Sequence, residues 1–276
     1  MIAVLISTLY NRLLEIKSCQ FPKNDDVYYV VSCQGVPEHD LSVYEKKISE
    51  IFGDKNQSHV FIQGYGLSRN RNAAINLLMK LDIKERYFYI SDDDIELCLD
   101  GIQEVVEFAS ASGLDMVAGK IATLDMRDHK QNYSSSTVAL NKLNAARVSS
   151  VEMVLSRATV EKYKLRFDEQ FGLGAKYPSG EEYIFVTDLL NQGCRVAFYP
   201  AYLCKHPPVT SGHDFYSTPE KVMAKGAMFR RVFGFLGAVT ACTLFTLKKY
   251  RMIVKYVRPT SFYYNILKGV FMHQVK

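Results

Sequence analysis

The stretch RYFYISDDDIEL at residues 86–97 decides the fold that we expect for this chain. Its first part, Tyr87 to Ile90, is a short aromatic and β-branched run, which predicts a buried strand. The run leads directly into Asp92, Asp93 and Asp94, three carboxylates that repel one another. Because open α/β sheets bind ligands at the carboxyl ends of their strands, these aspartates are candidates for holding Mg²⁺ or Mn²⁺. The alternative is an acidic turn that caps the next helix.

Short hydrophobic strands alternate with helical patterns on both sides of this stretch. We expect further strands at 2–7, 27–32, 59–62, 115–117, 151–155 and 194–199, the last ended by Pro200, and helices at 41–52, 68–80, 101–112 and 181–191. This alternation predicts an α/β fold with a largely parallel central sheet flanked by helices. No GxGxxG motif follows the first strand, which argues against a dinucleotide-binding Rossmann fold.

Length and composition set broad limits on the protein. A chain of 276 residues that is 48% hydrophobic is long enough for one large core, or for one domain with an appendage. The six cysteines are scattered and form no CxxC pair, which argues against a zinc site or a disulfide framework and favours the reducing cytoplasm. The first ten residues lack the basic region of a signal peptide and predict a strand.

The C-terminal part of the chain is strongly basic. Residues 221–276 contain eleven Lys or Arg and no Asp or Glu, whereas the first 220 residues contain 23 basic and 29 acidic residues. Uncharged residues fill 232–247, a stretch of ~24 Å as a helix, which is shorter than a bilayer span requires. Lys248, Arg251, Lys255 and Arg258 then follow at helical spacing before Pro259.

A basic stripe beside apolar helix faces is typical of a helix that lies in an anionic membrane interface. We therefore predict two regions: a catalytic domain at 1–215, and C-terminal helices at 216–276 that associate with a membrane surface. The alternative for the helices is a pair that packs on the preceding domain as part of its core. No nucleic-acid recognition motif accompanies the charge, which argues against a nucleic-acid partner.

Several other positions are candidates for chemistry. Arg69 and Arg71 lie at the start of a helix that Ser68 can cap, where they could clamp a diphosphate or form a solvated first turn. Asn72 could be another cap or a polar partner of the same ligand. His206 and His213 could be metal ligands or polar loop residues. The segment 120–150 is polar and irregular, which predicts a mobile loop over the site.

Glu181 and Glu182 open a predicted helix after a glycine-rich stretch. One interpretation is a carboxylate that acts as a general base. The other is structural, because Ser179 to Glu182 fits the S-x-x-E capping box, in which the glutamate bonds to the cap backbone.

Taken in order, these motifs resemble the family 2 glycosyltransferases with a GT-A fold, especially bacterial enzymes of cell-surface polysaccharide synthesis. The motifs are Thr8-x-Tyr10-Asn11-Arg12, Gly66-Leu67-Ser68 with Arg71-Asn72, Asp92-Asp93-Asp94, Gly180-Glu181-Glu182, and Pro200 with His206. The similarity covers about residues 1–215, and the ordered combination carries it. It implies a nucleotide-sugar donor, usually a UDP-sugar, and transfer with inversion at the anomeric carbon.

The resemblance also implies roles for individual residues. The nucleotide-sugar site would include Thr8, Tyr10, Arg12, Gln34, Ser68, Arg71, Asn72, Asp92 and Asp93. Asp92, Asp94 and His206 would hold Mn²⁺ or Mg²⁺. Glu182 would be the catalytic base, with Glu181 as its neighbour, at a position where the family more often has Asp. Ser32-Cys33-Gln34 stands where the family usually has an Asp that binds the nucleotide base.

The sequence thus predicts a metal-dependent inverting glycosyltransferase, peripheral on the cytoplasmic face of the membrane, with a saccharide or lipid-linked saccharide as acceptor. One alternative is a sugar nucleotidyltransferase, although no Gly-rich, Arg-containing loop follows the first strand. The other is a non-catalytic module that binds saccharide or lipid within an assembly complex.

Overall fold

A computed structural model of the chain describes residues 2–207 and 214–273. Its contacts divide these residues into two units. The first unit contains residues 2–65, 69–166 and 185–207, and the second contains 66–68, 167–184 and 214–273. The sequence predicted one boundary near residue 215, whereas the second unit also draws on two earlier stretches of chain. The roles predicted for the two regions remain predictions.

The first unit is built on one sheet. Among the described residues its strands are β1 (Ile2–Leu9), β2 (Val27–Gln34), β3 (Gln57–Ile62), β4 (Tyr87–Asp92), β5 (Glu96–Leu97), β6 (Met116–Ala122), β7 (Val138–Ala139), β8 (Met153–Ser156) and β9 (Val196–Lys205). They lie in the order β3-β2-β1-β4-β8-β6-β9-β5, and β7 pairs with β9. The sheet thus brings the carboxyl ends of β1, β2 and β4 to one edge.

The sheet is mixed, which corrects the prediction of a largely parallel one. The pairs β1–β2, β1–β4, β2–β3 and β6–β9 are parallel. The pairs β4–β8, β6–β8, β5–β9 and β7–β9 are antiparallel. Antiparallel neighbours need no crossover helix. The chain from β6 to β8 passes through loops, β7 and short 3₁₀ turns, and β8 can therefore run back beside β6.

Within residues 2–207 the α-helices are α1 (Tyr10–Leu13), α2 (Leu41–Phe52), α3 (Leu67–Lys80), α4 (Leu99–Ser112), α5 (Arg157–Lys162) and α6 (Glu181–Asn191). The predicted bounds of α2 and α6 agree with the structure. Apolar strand residues such as Val4 and Val31 pack with helix residues such as Ile48 and Ile102 in one buried cluster.

Strand β9 continues through Pro200, where the sequence predicted its end. Its pairing with β6 shifts register between Ala118, which faces Phe198, and Lys120, which faces Tyr202. Proline has no N–H to donate and is tolerated at such bulges. The strand therefore reaches Lys205.

The second unit contains two long helices, α7 (Pro219–Tyr256) and α8 (Pro259–Met272). Their backbones touch, because an added Cβ at Gly226 would lie 1.8 Å from the carbonyl oxygen of Ile266, and one at Gly269 would lie 2.0 Å from that of Met223. Helix α7 bends at Gly234, whose φ of 71° lies in the left-handed region that glycine tolerates best. By length and composition alone, α7 could cross a membrane.

Candidate active site

The three aspartates lie where β4 ends. Asp92 pairs with Ser7 in the β1–β4 register, so the chains leaving both strands remain adjacent. Thr8 Oγ1 donates a 2.6 Å hydrogen bond to Asp93 Oδ2. The side-chain amide of Asn70 on α3 donates to the carbonyl of Thr8 at 2.9 Å. Thr8 is thus fixed on both sides, and it fixes Asp93.

Arg12 supplies positive charge to the same carboxylates. Its Nη2 forms an ion pair with Asp93 and lies 2.9 Å from Asp94 Oδ2. Burial raises the pKa of Asp93 to about 6, although the Thr8 hydrogen bond and the Arg12 charge both act to lower it. The guanidinium of Arg12 remains partly exposed, so an anionic ligand can reach it.

Arg71 supports Asp92 from inside the fold. Its Nη2 donates to Asp92 Oδ1 at 3.1 Å and to Ser150 Oγ at 2.6 Å. Only 1% of the Arg71 side chain is exposed, compared with 29% for Asp92. The resemblance implies that Arg71 meets the nucleotide or its phosphates, which stays a prediction; in the structure its guanidinium lies against the Asp92 carboxylate. Arg69, two residues earlier, is exposed to solvent.

His206 approaches Asp94 from the end of β9. Its Nδ1 lies 2.6 Å from the carbonyl oxygen of Pro207. Because a carbonyl only accepts hydrogen bonds, Nδ1 carries the proton, and Nε2 lies 3.6 Å from Asp94 Oδ1. His129 Nε2 lies 3.0 Å from the same Pro207 oxygen, and the two imidazole rings meet edge-on at 5.5 Å. His213 lies outside the described residues.

Asp94 and His206 fit a divalent cation as a pair of protein ligands. When the His206 ring is neutral, Nε2 presents a lone pair toward Asp94, and a cation between the two groups would stabilise that arrangement. Mg²⁺ is commonly bound by one or two carboxylates together with substrate phosphates. Within residues 2–207 and 214–273 no group of three or more His, Cys, Asp or Glu could hold a metal by itself. Phosphate oxygens of a ligand would have to complete the coordination.

The other predicted residues of the first unit lie nearby along the same edge. Gln34 is buried at the end of β2 and pairs in register with Leu9 at the end of β1. Tyr10 begins α1 directly after β1, and its ring packs edge-on against Tyr44 at 6.4 Å. Asn72 is buried on α3.

The segment between β6 and β8, for which the sequence predicted a mobile loop over the site, is anchored by several hydrogen bonds. Glu152 is buried and receives hydrogen bonds from Lys130 Nζ at 2.5 Å and from the hydroxyl of Tyr133. Lys130 Nζ also donates to Ser149 Oγ at 2.7 Å. These contacts hold the chain that presents His129 and Ser150.

Ser68 belongs to the second unit. The sequence predicted a helix cap, but Ser68 is the second residue of α3, and its hydroxyl donates to the carbonyl of Phe171 at 2.5 Å. An added Cβ at Gly172 would lie 2.9 Å from Ser68 Oγ and 3.3 Å from the carboxyl carbon of Glu181. Ser68 thus packs beside Glu181 through the space that a glycine leaves.

The start of α6 does not match a capping box. The amide of Ile184 donates to the carbonyl of Gly180 at 3.1 Å, so Gly180 is the cap residue and Glu182 the second residue of the helix. A capping box on Ser179 requires Glu182 to be the third. Glu181 is buried and Glu182 is partly exposed. Burial lowers the pKa of Lys225 on α7, while the charges of Glu182 and Glu181 oppose that shift.

Ten of the predicted site residues fall into two groups. One network in the first unit contains Thr8, Arg12, Arg71, Asp92, Asp93, Asp94 and His206, and the second unit contains Ser68, Glu181 and Glu182. Sequence reasoning missed Asn70, His129, Ser150 and Lys225. Asn70 had a local signal, because it lies at the same helix start as Arg71. His129, Ser150 and Lys225 come from distant segments, and no local sequence signal pointed to them.

No family model matches the sequence, and no curated protein matches it either. Solved structures do. Residues 1–349 of S. aureus TarS, in complex with UDP-GlcNAc, superpose with a TM-score of 0.61 at 14% identity, covering 98% of this chain and 91% of that one. The mannosyltransferase PcManGT from Pyrobaculum calidifontis, in complex with GDP-Man and Mn²⁺, gives a TM-score of 0.58 at 12% identity, covering 98% and 87%.

A longer TarS structure is matched over 90% of this chain but only 44% of its own length. The chain therefore spans less than half of that protein. What the superpositions show is the architecture: the chain has a GT-A-like glycosyltransferase fold.

Proposed function

We propose that the protein is a family 2 inverting glycosyltransferase that moves a sugar from a nucleotide-diphosphate sugar to a saccharide or lipid-linked saccharide acceptor in cell-surface polysaccharide synthesis. The observation that supports this most is the network of Thr8, Arg12, Asp93, Asp94 and His206 at a sheet edge of a glycosyltransferase-type fold. Ligands bind at such edges of α/β sheets. A UDP-sugar is the proposed donor.

The aspartates and their partners would bind the donor diphosphate. Asp94 and His206 would hold Mn²⁺ or Mg²⁺, with Asp92 beside them, and a bound ion would supply Lewis-acid stabilisation of the leaving diphosphate. Arg71 holds Asp92 in place through a buried hydrogen bond. Arg12 can offer its exposed guanidinium to an anion. Thr8 donates a hydrogen bond to Asp93 and helps to hold that carboxylate beside Arg12.

Glu182 is the proposed general base, with Glu181 as the alternative. A base must be ionised and accessible to the acceptor hydroxyl, and Glu182 is the more exposed of the two. Lys225 on α7 lies near both glutamates, whose charges oppose the fall in its pKa that burial causes. The proposed location is the cytoplasmic face of the membrane, where the basic C-terminal helices would bring the enzyme to a lipid-linked acceptor.

The proposal is tested with purified protein and a panel of nucleotide sugars in the presence of Mn²⁺. One donor should raise the melting temperature, because a ligand at 100 times its Kd stabilises the folded state by about 2.7 kcal/mol. That donor should also be hydrolysed slowly to nucleoside diphosphate and free sugar. EDTA should abolish hydrolysis, and added Mn²⁺ should restore it.

Each contrary result removes a different part of the proposal. Full activity in excess chelator would show that the reaction does not need a metal ion. Binding of a saccharide without hydrolysis of any nucleotide sugar would favour the non-catalytic module. Release of pyrophosphate from a nucleoside triphosphate and a sugar phosphate would favour a nucleotidyltransferase.

A further inference from the structure

The second half of α7, after the bend at Gly234, has one side packed and one side open. Its packed side carries Ala238, Cys242 and Ile253, which are buried in a cluster with residues of α8. The open side carries Leu236 and Leu247, which are 80% and 66% exposed, and Val254. Spacings of eleven and seven residues put these three on one side of a helix. They form an apolar row ~27 Å long.

A basic row lies beside the apolar one. Lys248 and Arg251 follow Leu247 by one and four residues, and Lys255 follows Val254 directly. All three side chains are exposed, as is that of Arg258 after the helix. In the described part of the chain no hydrogen bond or ion pair engages any of these four cations. Residues 221–276 contain no acidic side chain that could neutralise them.

The bend adds exposed aromatic surface at the other end of the row. The rings of Phe235 and Phe271 meet at 5.2 Å, and both remain substantially exposed, as does Met272. Arg230 lies over the ring of Phe235 at 5.1 Å. An exposed apolar surface of this extent, bordered by cations, marks an interaction site.

From these rows we infer that the open side of α7 is a membrane-insertion face, defined by Leu236, Leu247 and Val254 together with Lys248, Arg251 and Lys255. The helix lies parallel to an anionic phospholipid bilayer, with the leucines and the valine at the acyl boundary and the cations on the headgroups. Charge complementarity selects this partner, because only an external anionic surface can balance the basic row.

The parallel orientation follows from where the cations lie. Lys248, Lys249, Arg251 and Lys255 occupy the last part of α7, and a span through the bilayer would carry cations into hydrocarbon, which is costly. The inference rests on the membrane association proposed above and names the residues that achieve it. It does not depend on the transfer reaction.

The chain contains no tryptophan, so one introduced tryptophan reports on its own position only. We expect the fluorescence of Leu247→Trp to shift to the blue with vesicles of phosphatidylcholine and phosphatidylglycerol, and to be quenched by brominated lipids. Leu143→Trp is the matched control, because Leu143 is 85% exposed in the first unit. Its emission should not change. Binding without a shift at Leu247 would overturn the insertion face while leaving membrane association intact.

Two sets of substitutions separate the rows. Changing Lys248, Arg251, Lys255 and Arg258 to Gln should lower vesicle affinity by roughly fivefold for each cation removed. Leu236→Gln with Leu247→Gln should leave binding that high salt abolishes completely, whereas the unmodified protein should keep a salt-resistant fraction. The shift in melting temperature caused by the donor should be unchanged in both sets of variants. This result separates a failure of the membrane-insertion face from a failure of the proposed enzymatic function.

Three further outcomes would overturn the inference. Resistance of the vesicle-bound protein to alkaline carbonate extraction would show that α7 spans the bilayer. A lipid-free dimer that Leu236→Gln with Leu247→Gln dissociates would show that a second copy covers the face. Equal affinity for anionic and neutral vesicles would show that the basic row does not contribute to membrane binding.

Discussion

The acidic end of β4 and the open side of α7 differ in whether the fold supplies their counter-charges. At β4, Asp92, Asp93 and Asp94 lie among Arg12, Arg71 and His206, and the first unit supplies much of its own counter-charge. On the open side of α7, no hydrogen bond or ion pair engages Lys248, Arg251 or Lys255 within the described residues. Nearer the start of the same helix, Lys221 and Arg231 do have acidic partners. Where the fold supplies the opposite charge, the side chains are ordered before any ligand arrives. Where it does not, the opposite charge must come from outside.

The largest effect that we predict concerns the two glutamates at the start of α6, which lie near Lys225. Glu182→Gln should lower turnover by ~10²-fold or more, because Gln cannot accept a proton as a general base does. Donor affinity and melting temperature should change little. Steady-state kinetics, calorimetry and thermal melting measure the three quantities.

Glu181→Gln is the control for this prediction. It should be mild if Glu182 is the base, and the two results should exchange if the base is Glu181. Near-normal turnover in both variants would show that the cluster with Lys225 is structural.

Asp94→Asn tests the cluster of aspartates at the end of β4, whose counter-charges come from the first unit itself. We expect donor affinity in the presence of Mn²⁺ to fall by at least the ~10–100-fold that outer-shell partners of a metal are worth. Asp94→Asn removes negative charge and leaves one fewer anionic ligand for the ion. Calorimetry with and without Mn²⁺ gives the metal-dependent part. Asp100→Asn, the same change on an exposed residue of α4, should have no effect, and a matching loss there would refute the assignment.

His129→Phe tests whether that cluster extends beyond direct contacts. His129 shares the Pro207 carbonyl with His206, so its loss should loosen the orientation of His206. We expect Mn²⁺ affinity, measured by calorimetry with the donor present, to fall by ~10-fold, at the low end of outer-shell effects. The ¹⁵N shifts of His206 should report a mixture of tautomers. His39→Phe, on an exposed histidine, is the control and should change neither quantity.

Gly226→Ala tests the packing that holds the basic helices together. The added methyl would overlap the backbone of α8 at Ile266, so we expect the free energy of unfolding to fall by about 1–3 kcal/mol. Chemical denaturation measures this change. Thr240→Ala, at an exposed position of α7, should be nearly neutral. Equal stability of the two variants would mean that the helices can separate at little cost.

The sequence predicted the parts of the fold that depend on local pattern. The strand Tyr87–Asp92 was found because its first residues form a short aromatic and β-branched run, and the helix Leu41–Phe52 because its apolar residues repeat at helical spacing. The mixed sheet was missed because β5 and β7 are two residues long and β8 four. Such strands take their direction from the loops that deliver them, which leave no periodic signal.

For the candidate site, the sequence showed which residues follow β4, but it showed only part of how their side chains are arranged. Adjacent aspartates after a buried strand are visible locally. The burial of Arg71 is not, because it depends on Ser150, 79 residues away in the chain. The same holds for His129, which meets Pro207 over 78 residues. At Glu182, the S-x-x-E motif suggested a capping box, but the helix begins one residue later than that motif requires.

The second unit is assembled from stretches that the ribosome delivers at very different times. The hydroxyl of Ser68 bonds to Phe171 across 103 residues, and the helices that complete the unit begin only at Pro219. At ~5–20 residues per second, the stretch that ends at 184 waits roughly 5–20 s before α8 has been synthesised. During that interval the nascent chain depends on chaperones or on its own solubility to avoid aggregation. A recombinant fragment that ends near residue 215 would lack α7 and α8 permanently, and its second unit would stay incomplete.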